Sequence, residues 1–132
     1  MKKRSTFIWI GAVVLFLAVS LMTSVHAQAQ GKKEIVIGTH LSLTGMLAMS
    51  ASEQKWAYEA AVADINKAGG IFVKEYGKKL PVKLVVADDE SDPGKAAAAV
   101  EKLIKLQKVD MLLSGHSTPL TIPSMVTSEK YK

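Results

Sequence analysis

Hydroxyl side chains set ahead of helix starts are the residues here best suited to chemistry. Ser114 to Thr121 reads SGHSTPLT, which puts Ser117 and Thr118 just before a predicted helix. Backbone N–H groups and the helix dipole at such a place favour an anion such as a carboxylate. A serine or threonine there can also simply cap the helix. Thr39 to Ser50 reads THLSLTGMLAMS and offers Ser42, Thr44, Gly45 and Ser50 among small residues that let a ligand approach backbone. The same stretch could be an ordinary strand-to-helix turn. His116 is placed to line the same pocket.

Other chemistry is absent or weak. Asp88-Asp89-Glu90-Ser91-Asp92 lacks the alternating ligands and central glycine of a calcium loop, and is expected to be a solvated turn with a helix cap. His40 and His116 end two predicted strands and could face each other. Two histidines without a third ligand do not make a metal site, so no metal is expected. The chain has no cysteine, which rules out disulfides, a thiol nucleophile and a thiolate metal site. No G-x-S-x-G, H-E-x-x-H, P-loop or dinucleotide fingerprint occurs. A binding protein with no cofactor is therefore expected, and not an enzyme.

The elements that would position these loops alternate. Residues 1–27 open with Lys2, Lys3 and Arg4, continue with the apolar run Phe7 to Met22 and end in small residues, the pattern of a secretory signal peptide. Cleavage is expected after Ala27 or Ala29, giving an exported soluble product. The run is shorter than the roughly 20 residues that span a bilayer. Loss of this leader lowers lysine plus arginine from 17 to 14 against 12 acids, and removes Arg4, the only arginine. Interspersed lysines without arginine forks do not suit nucleic acid. A carboxylate ligand must then be held by N–H groups, hydroxyls or lysine.

Residues 32–132 read as one incomplete α/β unit. Strands are predicted over Glu34–Leu41, Leu80–Ala87 and Val109–Leu113. A first helix over Ser52–Lys67, with Ser50 as N-cap and Glu53 completing a capping box, would bury a stripe of Trp56, Ala57, Ala60, Ala61 and Ile65. Trp56 and Tyr58 are read as packing or surface residues. Gly69-Gly70 ends this helix, and Ile71–Lys79 is a polar connection turning at Gly77. Asp92 caps a second helix with Pro93 at its first position; Ala96, Val100, Leu103 and Ile104 form its stripe, and Glu101 pairs with Lys105. Thr121 begins a third helix. The order implies a three-layer parallel sheet. If the strands lie 2-1-3, the ligand crevice falls between the first and third loops, with Asp88–Asp92 to the side.

With these residues read, IVIGTHLSLTG, AYEAAVADINKAGGI, VVADDESDPGKAAAAVEKLI, VDMLLSGHSTPLT and SEKYK resemble one family. It is the periplasmic substrate-binding proteins of branched-chain amino acid ABC transporters, the leucine/isoleucine/valine-binding type. The resemblance covers Glu34 to Lys132. It implies a two-lobed clamp, of which this chain is the front of lobe I of a type I periplasmic binding protein fold. Thr44-Gly45-Met46-Leu47-Ala48 matches the family's cleft-bordering stretch, and an aromatic position of the family falls on Ser50. The serine pair that holds the ligand α-carboxylate falls on Ser117 and Thr118, with Pro119 replacing a common glycine. The resemblance further implies a periplasmic monomer that captures a small amino acid, or a related carboxylate or amide, and delivers it to a membrane permease. The alternative is an extracellular sensing domain of a signalling receptor.

Overall fold

A computed structural model describes residues 31–131; the leader segment lies outside the described residues. The first strand, β1, spans Ile35–Leu41. Helix α1 (Ala48–Lys67) follows, then a small hairpin of β2 (Ile71–Val73) and β3 (Lys78–Leu80) joined by a 3-10 turn over Lys74–Tyr76. Strand β4 (Val82–Asp88), helix α2 (Pro93–Lys105), strand β5 (Met111–Leu113) and helix α3 (Thr118–Glu129) complete the order.

The main sheet is parallel with order β4-β1-β5, the 2-1-3 arrangement on which the placement of the crevice is conditional. Reaching β4 on one side of β1 and β5 on the other, by right-handed crossovers, puts α1 and α2 on opposite faces. Helix α1 packs on β4, while α2 packs on β1 and β4 and against α3. The sheet face under α2 is closely packed. A Cβ on Gly38 in β1 would stand 2.8 Å from Val109 Cγ1 and 3.3 Å from Leu103 Cδ2, so only glycine lets this helix and its following loop lie so close. Ala96, Ala99, Val100 and Leu103 of α2 are buried there with Leu120 of α3. The alanine run serves twice, as a strong helix former and as a low ridge for close packing. Asp92 caps α2 as predicted, its side chain accepting from Lys95 N–H at 2.8 Å, with Pro93 at the first position.

Several expectations are corrected. Helix α1 begins at Ala48, with Leu47 in the cap position and no side-chain cap; Ser50 is an exposed residue inside the helix. The chain turns into the helix as soon as it leaves Gly45, whose carbonyl accepts from Ala48 N–H, so no hydroxyl is needed at Ser50. The apolar stripe of α1 is not buried as a stripe. Trp56 is 72% exposed, and Ala51 alone among the helix's described residues is fully buried. Ile71–Lys79 is not a plain connection but the hairpin, antiparallel in register Ile71 to Leu80. The second predicted strand is divided at Pro81, which cannot donate to a ladder, into β3 and β4. The third helix starts at Thr118, not Thr121, because proline at the second helical position is compatible with the first turn.

Side-chain clasps fix the ends of the sheet. Asn66, near the end of α1, accepts from Val82 N–H at 2.7 Å and donates to Val82 C=O at 2.8 Å. Asp110 accepts from Val36 N–H at 2.8 Å and donates its own N–H to Val36 C=O at 2.7 Å. Between α1 and the hairpin, Gly69 and Gly70 both hold φ of 90°. A Cβ on Gly70 would overlap the Leu80 carbonyl, whereas one on Gly69 would meet only the Lys79 side chain at 3.6 Å. Gly69→Ala is therefore expected to cost about 1–2 kcal/mol for the left-handed backbone alone. Gly70→Ala should cost about 1–3 kcal/mol more for the overlap. Urea unfolding of both variants checks this, and equal losses would refute the steric account.

Candidate functional site

The carboxyl ends of β1, β4 and β5 meet at one edge of the sheet, and a buried aspartate ties the loops after β1 and β4 together. Asp89, just past β4, is fully buried. It is not part of a solvated turn as its acidic neighbours suggested. Its Oδ2 lies 2.8 Å from His40 Nδ1, and its Oδ1 accepts from the Ser42 hydroxyl at 2.5 Å and from Ser91 N–H at 3.0 Å. Its own N–H donates to Leu41 C=O at 3.0 Å. The strand period explains the burial. His40 pairs with Ala87 across the β1–β4 ladder, and Asp89 is two residues on, so both side chains rise from the same face. A histidine and an aspartate in phase on neighbouring strands is the signal that could have identified this pair in the sequence.

A hydrogen bond joins His40 Nδ1 to Asp89 Oδ2. His40 Nε2 has no partner among the described residues. His40 lines a cavity of about 120 Å³ together with Leu112, Leu113, Ser114, Ser124 and Met125. His116 by contrast is exposed. The two histidines therefore differ in environment, and one nitrogen of His40 is already committed to Asp89. Among the described residues no cluster of three metal-ligating side chains occurs.

A second clasp joins the first loop to the acidic run. Thr44 donates its hydroxyl to Asp88 Oδ2 at 2.8 Å and its N–H to Asp88 Oδ1 at 3.2 Å. The Ser91 hydroxyl donates to Thr44 C=O at 3.0 Å and accepts from Leu47 N–H at 3.1 Å. Gly45 has φ of 86°, and a Cβ there would stand 2.6 Å from Ser91 Oγ, so glycine is required both by conformation and by contact. The acidic loop bends to meet it through Glu90 and Ser91, both left-handed. Partial desolvation pushes the Asp88 carboxyl up. The hydrogen bonds from Glu90 N–H, the Thr44 hydroxyl, Thr44 N–H and Leu43 N–H outweigh it and hold the group below the usual carboxylate range.

The third loop presents its hydroxyls differently. Ser117 is the cap residue of α3, in extended conformation, with no side-chain capping bond. Its carbonyl takes the N–H groups of Leu120 and Thr121, and Pro119 has none. That leaves the hydroxyls of Ser117 and Thr118, with their own N–H groups, as the donors at this helix end. The sheet thus brings Thr44, Gly45, Ser117, Thr118 and His116 to one edge, on the loops after β1 and β5. Ser50 stands apart, on α1. Ser42, expected to face a ligand, is instead turned inward onto Asp89. Asp88, Asp89 and Ser91, which brace the edge with it, were not anticipated from sequence.

This bracing can be measured by removing its members. Asp89→Asn puts a donor against His40 Nδ1 or against the Ser42 and Ser91 donors, so a loss of about 2–4 kcal/mol is expected in urea unfolding. Ser42→Ala, which removes one of several donors, should cost about 1 kcal/mol. Asp88 has a folded value below its ordinary 3.8, so its contribution is complete above that value and is lost as pH falls through the folded one. An acid titration of stability should show this decline below about pH 4, and Asp88→Asn should lack that part.

Comparison with known proteins places this chain in a family. The chain is 38% identical over 114 residues to an amino acid binding protein of Pseudomonas aeruginosa, covering 84% of this chain and 28% of that protein. It is 26% identical over 110 residues to the Leu/Ile/Val-binding protein homolog 1 of Brucella abortus, covering 83% of this chain and 28% of that protein. The chain spans little more than a quarter of the length of these relatives. Among solved structures, it matches a branched-chain amino acid transporter substrate binding protein from Streptococcus pneumoniae, in complex with isoleucine. The TM-score is 0.67 and the identity 26%, over 74% of this chain and 26% of that one. The sequence profile described as periplasmic binding protein matches residues 34–130. The chain belongs to the periplasmic binding protein family, and it carries the β1-to-α3 portion of that fold.

Proposed function

We propose that this chain is part of an exported solute-binding receptor of an ABC importer, which captures a branched-chain amino acid or a related small carboxylate and hands it to a membrane permease. The observation that carries this reading is the third loop. Ser117 and Thr118 offer hydroxyl and N–H donors at the start of α3 that its first turn does not use. The positive end of a helix favours a carboxylate there, and the chain has no arginine beyond Arg4 to do so instead. Relatives that bind amino acids by name support the substrate class. Thr44 and Gly45 form the opposite rim; with the Thr44 hydroxyl donating to Asp88, Gly45 would contribute backbone and Thr44 an acceptor. His116, exposed beside Ser117, would border the ligand. No chemistry is required of these residues. The receptor works by closure, with ATP hydrolysed by its transporter partners.

Calorimetric titration of the intact protein with L-isoleucine tests the reading. Binding in wild type and a loss of at least about tenfold in the Ser117→Ala, Thr118→Ala double variant are expected, since two hydrogen bonds to a charged group are removed. The melting temperature should stay close to wild type, because Ser117 makes no capping bond. Unchanged affinity would move the carboxylate site elsewhere.

A further inference from the structure

Helix α1 sends two polar side chains to a single carbonyl of the third loop. The Tyr58 hydroxyl donates to Ser114 C=O at 3.2 Å. Gln54, one turn earlier, donates from Nε2 to the Tyr58 hydroxyl at 2.7 Å and to the same Ser114 carbonyl at 3.4 Å. On the other side the Ser114 hydroxyl pairs with Thr121 at 2.7 Å, and Thr121 donates to Gly115 C=O at 3.2 Å. Gly115 itself lies against His40, where a Cβ would stand 3.2 Å from the His40 carbonyl oxygen and 3.3 Å from Cε1. Strand β5 is only three residues long, so the ladder does little to orient the loop beyond it. The peptide after Ser114 is instead gripped from α1, α3 and β1.

Packing does not account for the α1 grip. The helix buries little apolar surface among the described residues, and its largest aromatic, Trp56, faces solvent. Both amide hydrogens of Gln54 are used, and its Oε1 is buried without a partner. Leaving a buried acceptor unpaired is unfavourable, and such a group in a native fold calls for a reason beyond stability. Holding Nε2 on the Tyr58–Ser114 pair supplies one. Three residues after Ser114 stands Ser117, whose donors would need hydrogen-bond geometry toward a ligand, and rigid support decides how well such donors are placed.

We infer that Tyr58 and Gln54 are positioning residues that fix the Ser114–Thr118 loop in its ligand-ready conformation and so set the affinity of the site. This inference rests on the reading of Ser117 and Thr118 given above, and its test separates the two. Hydrogen–deuterium exchange of the intact, ligand-free protein is compared for wild type and Tyr58→Phe, which removes one oxygen and keeps the ring. Exchange over residues 114–118 should be at least about fivefold faster, with residues 93–105 unchanged. L-isoleucine affinity should fall by at least about fivefold, with Gln54→Ala behaving likewise and exposed Trp56→Phe changing neither. Unchanged exchange at 114–118 overturns the inference whatever the ligand. Faster exchange with unchanged isoleucine affinity also overturns it, by showing a structural prop only. A wild-type protein that binds no isoleucine, with exchange altered as expected, removes the ligand reading and the affinity claim with it while leaving the loop contact established.

Discussion

A carboxyl group without access to water must be satisfied by the protein, and the architecture of the loop edge is shaped by meeting that demand at Asp89. Burial removes the hydration of the group, so every lone pair needs a donor. Here the donors come from a strand end, from the residue two positions on and from the next turn of the acidic loop. Each is fixed in turn by something else. His40 lies in β1 and touches Gly115; Ser91 reaches Thr44 and Leu47; Ser42 leads into Leu43, whose N–H turns back to Leu41. The loops after β1 and β4 share one buried polar centre. A network of this kind rigidifies when complete and fails as a unit when broken.

The parts of the molecule set by local rules are legible in the amino-acid sequence alone. Short apolar runs locate β1 and β4, and the Asp92-Pro93 signal with its alanine run locates α2. The alternation of elements also implies the parallel sheet. The features that local rules miss have a common cause. Ser50 and Glu53 satisfy a capping pattern, but Gly45 and the Ser91 hydroxyl have already turned the chain into a helix before Ser50 is reached. The α1 stripe looks amphipathic because alanines carry little information about which face is covered. The acidic run looks solvated because a buried aspartate is recognised only through its partner, and His40 is 49 residues away in sequence.

The candidate site itself divides along the same line. Hydroxyls ahead of a helix can be read from neighbouring residues, so Ser117, Thr118, Thr44 and Gly45 stand out in the sequence. Their supports cannot be read that way. Asp88 against Thr44 spans 44 positions, and Tyr58 against Ser114 spans 56. Positions suited to touching a ligand are thus local in sequence, and positions that orient them are distant. The family match agrees with the fold.

The shortness of β5 matters beyond the loop that follows it. Its inner side is paired with β1, while among the described residues no strand pairs with its outer side, and Met111 stands 55% exposed there. A three-residue border offers little backbone for another extended segment to pair with, and short edge strands are one way a sheet avoids such pairing. The brevity that leaves the loop after β5 dependent on side-chain grips thus also guards the border of the sheet against a second backbone.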